Sequence, residues 1–94
     1  MSLTPDTHFW IQQYLNQEKY LARTYFAAKD LEVIESAKVQ FKYFIYKATG
    51  CDRLPKNKQT YLTIGQASIV LSDNEVEAMN NIDFYVLDNP HLFK

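Results

Sequence analysis

Ninety-four residues, 47% hydrophobic and 22% charged, are enough for one small domain spanning residues 1–94 and too apolar for wholesale disorder. The single cysteine, Cys51, excludes an internal disulfide framework. No apolar run approaches the ~20 residues that cross a bilayer and no signal-peptide pattern opens the chain, so no membrane contact and a cytoplasmic location are expected.

Residues 1–3 are set aside as a leader. From Asp6 to Thr49 the chain holds no glycine and no proline but ten aromatic residues, a load that must be covered by other elements or by a partner. Thr4-Pro5-Asp6 marks a helix start: a hydroxyl cap, a proline where its missing N–H costs nothing, and an acid at the positive end of the dipole. Trp10, Tyr14, Leu21, Tyr25 and Ala28 share one face, which predicts a helix over residues 5–29. Asp30 reads as a second cap. Behind it Glu32 and Glu35 precede Lys38, Lys42 and Lys47, the charge order a helix dipole favours. Leu31, Ile34, Phe41, Ile45 and Ala48 form its apolar stripe, and Gly50 stands where a left-handed cap closes a helix. The alternative is a strand over residues 37–48 in a larger antiparallel sheet, because Val39 to Tyr43 alternates and is rich in strand formers.

After a basic loop around Pro55, Thr60–Ile64 and Ala67–Leu71 flank Gly65-Gln66, and a glycine first in a two-residue loop suits a tight hairpin. That turn pairs Ile64 with Ala67 and Leu62 with Ile69, placing the apolar residues on one face. Ser72-Asp73-Asn74-Glu75 is a capping box opening a short helix that is expected to end near Asn80-Asn81. Ile82 to Leu87 reads as a final strand, closed by Asp88-Asn89-Pro90. The expected fold is α+β: a helical pair, a β-hairpin, a short helix and a final strand. Thr63–Ser68 also resembles, over six residues, the opening of a helix-turn-helix in excisionase-like regulators. The expected turn and a basic recognition helix are missing, and the following helix carries Glu75 and Glu77, which phosphates would repel, so no family is assigned.

Chemistry-bearing residues are few. His8, His91 and Cys51 are far apart in sequence, so a thiol enzyme would need the fold to unite them. Metal-ligand spacing and a glycine-rich phosphate loop are absent, and no catalytic, metal or cofactor residues are assigned. The net charge of −1 is uneven: residues 1–37 carry −2, residues 38–58 carry +5 and residues 59–94 carry −4. The basic block, Lys38, Lys42, Lys47, Arg53, Lys56 and Lys58, interleaves with aromatic rings, a pattern that can grip single-stranded nucleic acid. The acidic C-terminal third argues against a polyanion partner. A non-catalytic protein-binding or regulatory module of adaptor, inhibitor, antitoxin or immunity type is therefore the leading reading. Self-association as a homodimer is expected, with Trp10, Tyr14, Tyr20 and Tyr25 as interface candidates.

Overall fold

The computed structural model describes residues 5–23, 31–51, 58–65 and 67–93. Three helices and one antiparallel hairpin follow in the order α1 (Pro5–Arg23), α2 (Leu31–Thr49), β1 (Gln59–Ile64), β2 (Ala67–Ser72) and α3 (Asp73–Asp88), with a 3-10 turn at Pro90–Leu92. This is the expected α+β architecture in its first four elements. The alternative strand over residues 37–48 is excluded, since α2 is helical throughout. The assigned cap Asp30, the end of the first helix beyond Arg23, Pro55 and Gln66 lie outside the described residues.

Helices α1 and α2 pack on each other through Ile11, Tyr14 and Leu21 on one side and Ala37, Phe41 and Ile45 on the other, all buried. The Tyr14 and Phe41 rings sit 5.0 Å apart, and Gln17 donates to the Ala37 carbonyl at 3.2 Å. Leu31, expected in the stripe, is 70% exposed, and Ala37 occupies the turn between Ile34 and Phe41. Gly50 closes α2 at a φ of +67° and donates to the Tyr46 carbonyl at 2.7 Å.

The hairpin has the predicted register, Ile64 opposite Ala67 and Leu62 opposite Ile69. Ala67, Ile69 and Leu71 are buried while Tyr61 is 73% exposed. With Thr63 and Ile64 paired to Ser68 and Ala67 in antiparallel strands, the helix-turn-helix resemblance does not hold. Gly65, at a φ of +60°, lies so close to α1 that a Cβ there would stand 2.9 Å from the Ala22 backbone. The turn is thereby seated on the C-terminal end of α1.

The final strand is not formed. Residues 82–88 are the last two turns of α3. Alternation across Ile82–Leu87 suggested a strand, yet Ala78 and Ile82 continue the four-residue spacing of a buried helix face, and both are buried. Asn80 and Asn81 are exposed on the opposite side and terminate nothing. The helix ends where the sequence first removes an N–H, at Pro90. There the Asn89 side chain donates to the Tyr85 carbonyl at 2.9 Å. Phe93 folds back between Tyr85 and His8, its ring 4.6 Å from the imidazole.

Candidate functional site

Helix α3 exposes two large apolar side chains, Phe84 and Leu87, the first of them on a groove. Its capping box is complete: Ser72 Oγ accepts from the Glu75 N–H, and the Glu75 carboxylate accepts from the Ser72 N–H at 2.8 Å. This fixes the rotation of the helix, with Glu75, Ala78 and Ile82 inward. Asp73, Glu77, Asn80, Asn81, Phe84, Leu87 and Asp88 then fall on the outer face, at three- and four-residue steps. Phe84 is 65% and Leu87 73% exposed. Where this face meets the start of β1, an open groove of about 450 Å³ is lined by Lys58, Thr60, Asp73, Val76, Glu77, Asn80, Asn81 and Phe84. It combines an apolar anchor with two carboxylates, two amides and one ammonium group, that of Lys58. Helix α3 contains no basic residue, so the charges of its outer face are all carboxylates, with Lys58 across the groove from them.

A second polar group lies inside. Glu75 is buried and accepts from the Ser72 N–H, the Tyr46 hydroxyl and, at 3.2 Å, Lys42 Nζ. Burial alone would raise its pKa, but these donors outweigh it and hold the carboxyl below the ordinary glutamate value. Both oxygens are taken by the scaffold, so the carboxylate joins α2, β2 and α3 rather than facing a substrate. A third group surrounds Tyr14, whose buried hydroxyl lies against Asp83 and Glu18. Burial first, then those two charges, push the tyrosine pKa well above its usual value. Burial and Glu18 also raise Asp83, against the hydrogen bond from Tyr14.

No protein family model, curated protein or solved structure matches this chain.

The predicted site residues are distributed as follows. Tyr14 is fully buried and no partner can reach it in this fold. Trp10 is half-buried among Phe9, Tyr43 and Phe44, with Lys47 Nζ 5.3 Å from its ring centre. Tyr20 is 43% exposed and lines an open groove of about 410 Å³ between α1 and α2 with Gln17 and Val33. Tyr25 lies outside the described residues. Of the basic block, Lys38 binds the Ser68 carbonyl at 2.9 Å and Glu35 at 2.7 Å. Lys42 binds the Val70 carbonyl at 3.1 Å as well as Glu75. Lys58 is exposed, and Arg53 and Lys56 are outside the described residues. Among the described residues, Lys38 and Lys42 share one open groove of about 270 Å³ beside β2, together with Glu35, whereas Lys47 lies over Trp10 and Lys58 lines the groove beside α3.

No group of three or more His, Cys, Asp or Glu residues is placed to hold a metal among the described residues. His8 is occupied by the Phe93 ring, while Cys51 is half-buried with its N–H on Thr49 Oγ1 at 3.3 Å. Among the described residues no helix is long and apolar enough to cross a membrane. Phe84 and Leu87 were missed as surface residues because they were assigned to a strand. Counting seven residues, two helical turns, on from Glu77 places Phe84 on the same face.

Proposed function

We propose that this chain is a non-catalytic, cytoplasmic protein-binding module that uses the outer face of α3. The observation that carries the reading is Phe84 standing exposed at the end of a groove whose α3 side carries two carboxylates, Asp73 and Glu77. Large apolar side chains left in water beside a concavity mark docking sites more often than isolated exposed ones do. The fitting partner presents an apolar pocket or side chain surrounded by Lys or Arg. Carboxylates on the groove would speed and orient the encounter, and burial of Phe84 and Leu87 would supply most of the affinity.

The test compares wild-type protein with a Phe84→Ala/Leu87→Ala variant as bait for cross-linked partners, followed by titration of each captured protein. Both side chains are exposed, so the circular dichroism of the variant should match wild type. A partner that binds wild type and loses about tenfold or more in affinity for the variant supports the reading. Partners that bind both proteins equally place the interface elsewhere. An adaptor, inhibitor, antitoxin or immunity role would then follow from what the partner does.

A further inference from the structure

The two edges of the hairpin are treated differently by the rest of the chain. In a hairpin closed by two residues, Ile64 and Ala67 exchange hydrogen bonds, and the pairs at every second position do the same. The residues between turn their N–H and C=O groups outward. On β2 these are Ser68 and Val70, and their carbonyls accept from Lys38 and Lys42 one helical turn apart on α2. The outer edge of β2 is thereby closed by two ammonium groups. On β1 the corresponding residues are Gln59, Tyr61 and Thr63. All three are exposed, and among the described residues no backbone bond beyond the hairpin ladder reaches them. Within the strand itself the devices that blunt an edge are missing: Gln59–Ile64 contains no charge and no proline, and its register is unbroken over six residues.

We propose that β1 pairs with β1 of a second copy, antiparallel about a two-fold axis at Tyr61, joining the two-stranded sheets in the order β2–β1–β1–β2. Several features select a second copy as the occupant. Centred on Tyr61, the pairing sets Gln59 opposite Thr63 twice and brings no like charges together within the strand. Tyr61 meets Tyr61 on the face away from the core, the kind of aromatic cross-strand pair that stabilises antiparallel sheets. The lysine closure of β2 blocks the head-to-tail alternative, β1 on β2, which would propagate into filaments, so association stops at two. A six-residue strand is about 20 Å long, and so small a contact implies a dissociation constant on the order of micromolar. The surface is distinct in kind from the groove contact, because it needs no other protein.

Sedimentation velocity of the full chain from roughly 1 µM to 1 mM brackets that affinity. The expected result is a monomer-to-dimer shift, with amide exchange at Tyr61 and Thr63 slowing as concentration rises. Tyr61→Lys places like charges opposite each other and should weaken the dimer about tenfold or more. Thr63→Pro removes an outward N–H without taking a hydrogen bond from the hairpin and should do the same. Circular dichroism and Trp10 fluorescence report whether either variant remains folded, and Tyr61→Lys alone is decisive if the proline variant does not. A particle that stays monomeric across the range overturns the proposal. So does a dimer that is indifferent to Tyr61→Lys, or one in which the Tyr61 and Thr63 amides exchange at the monomer rate.

Discussion

At the scale of single residues, two carboxylates carry opposite signs of stability. Glu75 is held below the ordinary glutamate value, near 4.5. A carboxyl lowered in the folded state stabilises at pH above that ordinary value, and the contribution is lost as pH falls through the lowered one. Glu75→Gln should therefore cost about 1–3 kcal/mol at neutral pH by weakening the links to Lys42, Tyr46 and Ser72. The gap to wild type should close as the solution is acidified, which thermal melts at several pH values would measure. Asp83 is raised above its ordinary value of 3.8, so its ionised form opposes folding at neutral pH. Protonation relieves that opposition as pH falls through the raised value. Asp83→Asn should stabilise at pH 7, by less than about 1 kcal/mol because water screens so exposed a group, and the gain should vanish in acid. Melts showing destabilisation at pH 7 would contradict this sign. The Ser72–Glu75 cap was legible from four consecutive residues. The part played by Lys42 and Tyr46 was not, because those contacts span 33 and 29 residues of sequence respectively.

At the scale of elements, the two glycines separate backbone conformation from packing. Both have φ above +60° or at it, but Gly50 faces open space whereas Gly65 abuts Ala22. Gly50→Ala should cost about 1 kcal/mol, the ordinary penalty of a left-handed alanine. Gly65→Ala adds a backbone clash and should cost clearly more, roughly 2 kcal/mol or above. Equal losses in denaturant midpoints would show that the hairpin turn is not seated on α1. The elements that the sequence made legible are those with local punctuation: Gly50 ends α2, Gly65 turns the hairpin, and Ser72 starts α3. The end of α3 was misplaced because Asn80-Asn81 imitates a stop while Ile82–Leu87 alternates like a strand. Only packing of Ile82 into the core decides for helix, and that information is tertiary.

At the scale of the whole molecule, the opposed charge blocks are partly spent inside the fold. Lys38 and Lys42 meet Glu35 and Glu75 and close an edge of the sheet, while Lys47 lies over Trp10 and Tyr43. Single-stranded DNA or RNA should accordingly bind weakly, with a shallow salt dependence. Fluorescence anisotropy at two ionic strengths checks this, and micromolar binding that collapses with added salt would favour the basic segment after all. The candidate surface was not legible from sequence for a related reason. Exposure of Phe84 depends on which side of α3 the hairpin and α2 cover, and composition is silent on that.

Ser72 ends β2 and caps α3 at once, so strand and helix meet with no spacer to absorb a change in length. Each residue of an α-helix advances the side chains by about 100°. One residue inserted after Ser72 would therefore turn Glu75 away from Lys42 and Tyr46 and swing Phe84 off its groove in a single step. The junction works like a keyed shaft: the angular setting of the proposed docking face is inherited directly from the hairpin, and point substitutions can tune that face while insertions at the joint cannot.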